Sequence, residues 1–377
     1  MTYDKANSIL EIRRNRTDDE TVFDRIKRFA AEHNAINNDY KRRIVQQACD
    51  QLLGAPAANG SSFFLRDHIV EELKRINDAE LGRYLYYRYR YDVFPKTWEL
   101  DDFPPCLQIE PSSICNYRCV FCYQTDAEFT HAANGHMGMM GFDLFKEIVD
   151  QATGSCEAIT LASRGEPLIC RDIEKMLGYM AGKFLALKIN THAGFLDERK
   201  AHAILSAGVN TLVFSADAAA EPLYSQLRVH GKLDRVLTNI ERFQNIRVTQ
   251  YPHSRTITRV SGVRYSKDQS LDEMERFWGN LVDQVAFVEY NPWENTYQRP
   301  MNDIETPCSD LWRRMFVWFD GQVNPCDVDY KSVLAVGTAK NSSLSALWRS
   351  ERYERLREMH LNRQRGLAFP CRRCTVT

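Results

Sequence analysis

Hydrophobic residues follow two different patterns along this chain, and the pattern changes near residue 103. Before that point, apolar residues at 22, 26 and 29, and again at 44, 45 and 48, keep the spacing of one helix face. A third helix is predicted from a cap at Ser61 or Ser62 through Ile76. We therefore predict a mostly helical first region over residues 1–102.

From residue 103 onward, short apolar runs alternate with helical stretches. The runs predict strands at 106–110, 157–161, 186–190, 211–215, 256–264 and 285–290. Helical spacing lies between them at 142–153, 171–182, 197–207, 232–243 and 271–281. Such repeats are typical of an α/β fold with a parallel sheet and helical crossovers, here over residues 103–300. Six repeats are too few to close an eight-stranded barrel.

The last region, residues 301–377, predicts a smaller unit. Residues 316–323 fit a β-hairpin with Asp320 and Gly321 at the turn, and residues 344–359 fit a helix. In the first region, arginine and tyrosine interleave over residues 83–91. That segment either forms a stacking and charge surface for a substrate, partner or nucleic acid, or packs its rings onto the barrel with its arginines in water.

Charge favours the packing interpretation. The 377 residues include 49 basic and 50 acidic side chains, so no overall field attracts nucleic acid or an anionic membrane. The first residues carry charges where a signal peptide needs an apolar core, and no apolar run reaches spanning length. We expect a soluble cytoplasmic protein with neither a membrane nor a nucleic acid as partner.

Eleven cysteines in a cytoplasmic chain indicate metal or redox chemistry rather than disulfides. Cys115, Cys119 and Cys122 follow the first predicted strand at x3 and x2 spacing. Three thiolates can bind three corners of a [4Fe-4S] cluster and leave one iron open to a small molecule. A chance cluster or half of a zinc site is the alternative. Four further cysteines fit buried small hydrophobes: Cys49, Cys106, Cys156 and Cys170.

The C-x3-C-x2-C motif after a first strand, with Phe121 before its third cysteine, resembles the radical S-adenosylmethionine (SAM) superfamily. The resemblance implies a partial (β/α)6 TIM-like barrel and SAM bound at the open iron. It also implies an external one-electron reductant of the flavodoxin or ferredoxin type. Reductive cleavage of SAM would then yield a 5′-deoxyadenosyl radical that removes a hydrogen atom from the substrate. The adenine would lie against Phe121, Gly262 and Val288.

Shorter motifs support this resemblance. Gly165-Glu166-Pro167 is similar to the Gly-Gly-Glu-Pro motif that receives the amino group of SAM, with Arg164 in place of the first glycine. Other positions that match the family's cofactor-binding pattern are polar: Asn190, Ser215, Asp217 and Arg228. Each of these could instead be a helix cap or a loop hydrogen bond.

The C-terminal region carries the second cysteine group, Cys308, Cys326, Cys371 and Cys374. Four thiolates saturate one cluster, and the pattern resembles the SPASM/twitch extension with a single auxiliary [4Fe-4S] cluster. A four-cysteine zinc ribbon is the alternative. Asp327 follows Cys326 as in sulfatase-maturing relatives, where that aspartate is the base. Lower-ranked candidates near the substrate are Asp329, Glu289 and Arg264.

Three functions follow. The first is a dehydrogenase, or a related epimerase or dehydratase, acting on a polar small molecule such as a sugar, aminocyclitol or nucleotide sugar. The second is a peptide or protein maturase that forms a thioether or formylglycine and holds the polypeptide with its N-terminal helices. The third is a non-catalytic protein that binds metal or a cluster.

Overall fold

The computed structural model describes residues 9–12, 19–32, 36, 38–57 and 61–377. Ten of its twelve strands form one sheet in the order β1-β9-β8-β6-β5-β4-β2-β10-β11-β12, and β3 pairs with β7. The strands are β1 (Ile9–Ile12), β2 (Cys106–Ile109), β3 (Arg118–Cys119), β4 (Ala158–Leu161), β5 (Ala186–Thr191), β6 (Thr211–Ser215), β7 (Arg228–Val229), β8 (Ile257–Arg264), β9 (Gln284–Glu289), β10 (Arg314–Val317), β11 (Gln322–Asn324) and β12 (Gly337–Thr338).

Helices cover the outside of the sheet, which confirms the α/β class. They are α1 (Asp19–Glu32), α2 (Asp39–Leu52), α3 (Asp67–Arg75), α4 (Asp78–Asp92), α5 (Phe94–Thr97), α6 (Ala127–Thr130), α7 (Phe142–Ala152), α8 (Ile173–Met180), α9 (Glu198–Ser206), α10 (Leu223–Leu227), α11 (Leu233–Gln250), α12 (Leu271–Trp278), α13 (Asp310–Arg313), α14 (Leu344–Trp348) and α15 (Glu351–Leu361).

The six predicted barrel strands are confirmed as β2, β4, β5, β6, β8 and β9, all paired in parallel. Alternation along β5 shows how one strand contributes side chains to both faces of the sheet. Leu187 and Ile189 are buried in the core beneath the helices, whereas Lys188 and Asn190 point to the barrel interior. The helical layer and the barrel lumen therefore receive alternate residues of one strand.

Both edges of the barrel sheet contain strands from the flanking regions. Strand β10 pairs in parallel with β2, with Arg314 opposite Cys106, and so adds a seventh parallel strand from the C-terminal region. At the other edge β1 pairs antiparallel with β9. Neither pairing was predicted, because local periodicity does not encode which distant segment a strand joins. The division at residues 102–103 and 300–301 stays a prediction.

The C-terminal hairpin is confirmed, since β10 and β11 pair antiparallel around a turn in which Gly321 has a φ of +87°. The single helix predicted over residues 344–359 is wrong. The chain forms α14 and α15, separated at Arg349 and Ser350. Ser350 adopts the extended conformation of a helix N-cap, which serine tolerates well, and so starts a second helix.

The arginine–tyrosine segment lies within α4 and packs beneath the barrel. The predicted packing is right, and Arg83 is exposed as predicted, but the prediction that the arginines stay in water is wrong for Arg88 and Arg90. Arg88 is 6% exposed and Arg90 2% exposed, because each binds a carboxylate, Asp92 at 2.8 Å and Asp101 at 2.9 Å respectively. Paired guanidinium groups can be buried where unpaired ones cannot.

Helices α3 and α4 close the end of the barrel at which its strands begin. Arg83 binds Glu157 just before β4, with an N–O distance of 2.7 Å. Arg75 donates to the carbonyl of Thr256 just before β8, and Tyr91 accepts from Arg314 at the start of β10. The N-terminal helices thus lie opposite the loops that follow the strands. Within the described ranges, no helix combines the length and apolarity needed to span a membrane.

Candidate active site

A cavity of about 410 Å³ opens at the C-terminal ends of the barrel strands. Loops after parallel strands converge at this end, which is where such barrels hold their chemistry. The structure brings twelve sequence-predicted site residues onto its wall: Cys115, Cys119, Phe121, Cys122, Gly165, Glu166, Asn190, Ser215, Arg228, Val288, Glu289 and Asp327.

The three clustered cysteines line this cavity from the loop after β2. Hydrogen bonds point at each sulfur: the backbone N–H of Tyr117 donates to Cys115 Sγ at 3.4 Å, and that of Gln124 donates to Cys122 Sγ at 3.5 Å. Cys119 lies on β3, where Arg228 on the paired strand β7 donates to its sulfur at 3.7 Å. These donors favour the thiolate form.

Burial acts in the opposite direction on the same thiols. It raises the pKa of Cys115 to about 12, and it also raises the pKa values of Cys119 and Cys122. Buried thiolates at this site therefore need a bound cation to balance their charge. All three cysteines are free of disulfides.

A single-ion site does not fit these sulfurs. Zinc holds all its thiolates at about 2.3 Å from one atom, and no group of three ligating side chains in the described residues is close enough to hold one ion. A cubane cluster spreads its cysteines over separate iron atoms, so a wider triplet suits it. The donor set fits a [4Fe-4S] cluster, and the predicted ligand role of these three residues stays a prediction.

Gly165 and Glu166 dock directly onto the segment that precedes Cys115. A Cβ atom at Gly165 would lie 2.5 Å from the carbonyl oxygen of Ser112, so only glycine fits there. Glu166 donates its backbone N–H to Ile114 at 3.0 Å. Its carboxylate accepts from Thr191 Oγ1 at 2.6 Å and from the backbone N–H of His192 at 2.9 Å. The carboxylate is therefore held in one orientation on the cavity wall.

His192 is a cavity residue that the motif search missed. Its ring stacks on Tyr117 with 3.8 Å between centroids. Nδ1 accepts from the backbone N–H of Gly194 at 2.9 Å, so Nε2 carries the proton and donates to Asn116 Oδ1 at 3.0 Å. Burial lowers the pKa of His192, which keeps the ring neutral. Its place directly after β5 is the signal that could have found it.

Arg164, which replaces a glycine of the family motif, has a structural explanation. Its guanidinium binds both carboxylate oxygens of Glu110, at 2.8 and 2.6 Å, and donates to the carbonyl of Tyr330 at 3.0 Å. The group also lies 4.4 Å from the ring centroid of Trp318. Arg164 thus ties the end of β2 to the C-terminal region.

Asp217 and Gly262 do not line the cavity. Asp217 is completely buried, and its carboxylate binds Arg228 Nε at 2.6 Å and the backbone N–H of Val263 at 2.6 Å. It orients Arg228 rather than facing the cavity. A Cβ atom at Gly262 would meet the carbonyl of Ala216 at 2.7 Å, whereas Val288 does lie on the wall.

The four C-terminal cysteines gather around Tyr353 and Arg365. Cys308, Cys371 and Cys374 lie close enough to one another to interact electrostatically. Tyr353 interacts in the same way with both Cys308 and Cys326. Burial raises the pKa of Cys308 to about 11. Arg365 is buried and donates to the carbonyl of Cys374 at 2.7 Å. Four cysteines gathered in this way fit a second cluster, because a cubane binds each cysteine through a separate iron atom. The assignment of these four residues as ligands stays a prediction.

The carboxylates predicted as candidate bases differ in whether they face the cavity. Asp327 lies on the cavity wall, one residue after Cys326. Asp329 is buried away from it and accepts from Tyr297 Oη and the backbone N–H of Leu334, both at 2.7 Å. Burial raises the pKa of Asp329 to about 6. Glu289 lies on the wall, paired with Arg264 at the cavity mouth. Asp329 therefore shapes the loop that carries Asp327.

Family models match most of this region. Residues 109–277 match the radical SAM superfamily, and residues 308–375 match SPASM, an iron-sulfur cluster-binding domain. The chain belongs to the radical SAM superfamily and carries a SPASM/twitch domain.

Three curated relatives are similar in sequence. The S-adenosyl-L-methionine-dependent 2-deoxy-scyllo-inosamine dehydrogenase of Niallia circulans is 19% identical over 71% of this chain and 91% of its own length. Fe-coproporphyrin III synthase of Methanosarcina barkeri is 24% identical over 34% of this chain, and a probable GTP 3′,8-cyclase of Methanococcus maripaludis is 24% identical over 38%. The matches span 31% of the synthase and 46% of the cyclase.

Solved structures share the fold. BtrN in complex with AdoMet and 2-DOIA has a TM-score of 0.50 at 17% identity, covering 73% of this chain and 94% of BtrN. Streptococcus suis SuiB bound to S-adenosylmethionine has a TM-score of 0.52 at 16% identity, covering 86% of this chain and 84% of SuiB. AnSMEcpe with bound AdoMet has a TM-score of 0.50 at 14% identity, covering 72% of this chain and 88% of that one.

Family membership settles the cofactors and the general class. The chain is a radical SAM enzyme that uses SAM and a [4Fe-4S] cluster, with further iron-sulfur chemistry in its C-terminal domain. Such an enzyme requires an external electron donor. The substrate and the outcome of the reaction are not given by membership in the family.

Proposed function

We propose that this enzyme oxidises a polar small molecule, such as a sugar, aminocyclitol or nucleotide sugar, by removing hydrogen from carbon. One observation carries the proposal: Asp327 and the cysteine triplet line the same cavity, and Asp327 directly follows a cysteine of the C-terminal group. The proton acceptor Asp327, the radical formed at the cysteine triplet and the electron acceptor of the C-terminal domain could then all act on the same carbon of the substrate.

The proposed ligands of the SAM-binding cluster are Cys115, Cys119 and Cys122, and those of the auxiliary cluster are Cys308, Cys326, Cys371 and Cys374. When bound, SAM and its cluster supply a 5′-deoxyadenosyl radical, and the auxiliary cluster supplies an electron acceptor. The side chains of the protein then orient SAM and the substrate in the cavity. Glu166, whose carboxylate accepts from Thr191 and from the backbone of His192, would pair with the amino group of SAM, and Phe121 would offer an aromatic face to its adenine.

The proposed oxidation balances when a CH–OH group becomes C=O. The carbon loses a hydrogen atom, which ends in 5′-deoxyadenosine, and the hydroxyl loses a proton, which Asp327 accepts. The one electron that remains leaves the substrate for the C-terminal domain. A flavodoxin- or ferredoxin-type protein would supply the electron that starts each cycle.

The closed base of the barrel supports a small substrate over a polypeptide. Helices α3 and α4 contact the residues that precede the barrel strands, such as Glu157 and Thr256. They therefore lie on the side opposite the cavity mouth and are badly placed to hold a peptide over it. The match to the curated 2-deoxy-scyllo-inosamine dehydrogenase, which covers 91% of that enzyme, also supports a small-molecule substrate.

Anaerobic reconstitution with iron, sulfide, SAM and dithionite tests the proposal. Candidate sugars, cyclitols and their nucleotide derivatives are supplied with deuterium at each carbon, and peptides serve as the competing substrates. We expect deuterium in 5′-deoxyadenosine from one sugar or cyclitol position and one oxidised product per deoxyadenosine. Transfer from a peptide, or a product of unchanged oxidation state, would favour a maturase or an epimerase or dehydratase instead.

A further inference from the structure

Arg365 differs from the other buried arginines of this protein in having no acid partner. Seven arginines among the described residues are buried, and six of them bind a carboxylate. Those six pairs, with N–O distances of 2.6 to 3.4 Å, are Arg88–Asp92, Arg90–Asp101, Arg164–Glu110, Arg228–Asp217, Arg313–Asp310 and Arg357–Glu354. Arg365 is 1% exposed, and in the part of the chain that the structure describes no carboxylate lies within ion-pairing distance of it.

The guanidinium of Arg365 lies among the C-terminal cysteines. Each of its nitrogens donates to a backbone carbonyl: Nη2 to Cys374 at 2.7 Å, Nη1 to Thr306 at 3.0 Å and Nε to Cys371 at 3.4 Å. Thr306 is two residues before Cys308, and Arg365 interacts electrostatically with both Cys308 and Cys371. The guanidinium therefore bridges the two chain segments that carry three of the four cysteines.

Two acids also lie near these sulfurs, and neither neutralises Arg365. They are Asp310 and Asp329. Asp310 is paired with Arg313 at 2.9 Å, and Asp329 accepts hydrogen bonds from Tyr297 and from backbone N–H groups. Within the described residues, all the hydrogen bonds of Arg365 go to carbonyls instead.

The other cations of this region are screened or paired. Arg372 and Arg373 stand between two of the cysteines in the sequence, but both are only half-buried, so water and salt screen them. Arg357 is bound by Glu354 at 3.4 Å. What remains opposite the charge of Arg365 is the group of cysteine sulfurs, which are negative when they are thiolates.

This arrangement has a consequence for a cluster bound by those sulfurs. A buried guanidinium normally needs a negative partner, because burial of an unpaired charge is costly. A cubane held by four thiolates is an anion as a whole, and it becomes more negative by one charge when it accepts an electron. A fixed positive charge nearby stabilises the added electron and so raises the reduction potential.

We propose that Arg365 is the counter-charge of the C-terminal cluster and raises its reduction potential, so that this cluster accepts the electron left on the substrate. The inference rests on the proposed function, in which the substrate radical loses one electron to the C-terminal domain and a proton to Asp327. A one-electron carrier of the flavodoxin or ferredoxin type would reoxidise the cluster between turnovers. Arg365 does not line the active-site cavity, so it acts through the cluster and is a positioning residue.

A structural role for Arg365 is the alternative, because the same guanidinium holds three carbonyls. Two variants separate charge from hydrogen bonding. Arg365→Lys keeps the positive charge but cannot reproduce three bonds in a planar fork, and Arg365→Gln loses the charge. If the charge matters, the reduction potential of Arg365→Lys stays near that of the parent enzyme. If only the bonds matter, the two variants behave alike.

The test is a potentiometric titration of the anaerobically reconstituted full chain, followed by electron paramagnetic resonance. Cys115→Ala, Cys119→Ala and Cys122→Ala are combined in every sample, so that the signal comes from the C-terminal cluster. We expect the one-electron reduction equilibrium to become at least about tenfold less favourable in Arg365→Gln, a shift of about 59 mV to lower potential. Arg365→Lys should stay within about threefold of the parent. Arg363→Gln, at a side chain that is 78% exposed, is the matched control and should leave the potential unchanged.

The proposal is overturned if the parent and Arg365→Gln have the same potential, or if Arg365→Lys falls as far as Arg365→Gln. Should Arg365→Gln fail to hold the cluster, iron content decides. Assembly in Arg365→Lys alone supports a requirement for charge, whereas loss of the cluster in both variants means that the hydrogen bonds matter and overturns the proposal. A parent enzyme without a C-terminal cluster would remove the electron acceptor of the proposed function and this inference with it. A parent with a cluster whose potential is independent of Arg365 would remove only this inference.

Discussion

The rim and the floor of the barrel treat charge in opposite ways. At the rim every described acid of the cofactor region has a partner: Glu110 binds Arg164, Asp217 binds Arg228, and Glu166 binds Thr191 and His192. The floor consists of Lys188, Arg259 and Arg314, which line the cavity from the barrel interior. There the neighbouring charges have the same sign, and burial with Arg314 and Arg259 lowers the pKa of Lys188. Opposite charges at the rim hold neighbouring groups in place, whereas like charges at the floor disfavour the charged form of a buried lysine.

The largest expected effect concerns the rim group placed to accept a proton. Asp327→Asn removes the base but keeps the size of the side chain, so we expect formation of oxidised product to fall by about 10²–10⁴-fold. SAM cleavage without product should persist, because the cysteine triplet is untouched. Product and 5′-deoxyadenosine are measured in parallel by liquid chromatography. Asp268→Asn, at an exposed position, serves as the control, and a parallel loss of both products would argue against the base role.

The buried pair at the rim should be costly to break. Arg164→Met leaves Glu110 as an uncompensated buried carboxylate, and we expect a loss of about 3–5 kcal/mol in the free energy of unfolding. Urea denaturation of the wild type and the variant measures it. Arg199→Met removes an exposed partner of Glu174 and should change stability little. An equal loss of unfolding free energy in the two variants would mean that the buried Arg164–Glu110 pair stabilises the fold no more than an exposed pair does.

A smaller effect is expected where Glu166 faces the cofactor. Glu166→Gln keeps the shape but loses the charge that would pair with the amino group of SAM, so the Kd for SAM should rise about tenfold. Equilibrium dialysis with labelled SAM measures this change, and exposed Glu241→Gln is the matched control. Unchanged SAM affinity in Glu166→Gln would remove Glu166 from the cofactor site.

The smallest effect should come from the pH dependence of the floor. Burial lowers the pKa of Lys188 to about 8, with Arg314 and Arg259 as like charges beside it and Glu72 as the nearby acid. Above that pH the ammonium loses its proton in the folded enzyme, whereas the unfolded chain still holds it.

The free energy of unfolding should change with pH because of this difference in the pKa of Lys188. The unfolded chain keeps the Lys188 proton up to the ordinary pKa of 10.5, so the free energy of unfolding gains a contribution as pH rises between about 8 and 10.5. Urea denaturation at several pH values across this range measures the contribution, and Lys188→Met, which cannot titrate, should lack it. The same pH dependence in the wild type and in Lys188→Met would contradict the lowered pKa of Lys188.

Local patterns were sufficient to predict much of this fold. The six barrel strands, β2, β4, β5, β6, β8 and β9, alternate or run apolar over short stretches, and the helices between them keep one apolar face. The joining of β10 and β1 to that sheet could not be predicted, because the pairing is between segments far apart in the chain. The break at Ser350 was missed because the apolar spacing runs across both helices.

The candidate site was predictable to a similar degree. Cysteine spacing and Gly165-Glu166 identified residues that the structure places around one cavity. The floor was not foreseen, because Lys188 stands alone in an apolar run and its neighbours Arg259 and Arg314 come from distant strands. Arg164 appeared as a departure from a motif, and only the position of Glu110 across the barrel explains it.

The most direct test of the account is the fate of SAM on the reconstituted enzyme. Anaerobically loaded wild type is incubated with SAM and dithionite, and iron content and 5′-deoxyadenosine are measured beside a Cys119→Ala variant. The account predicts deoxyadenosine from the wild type, and from the variant only background together with a lower iron content. Wild-type enzyme that binds zinc at these cysteines, or that holds iron and yields no deoxyadenosine under several reductants, would contradict it.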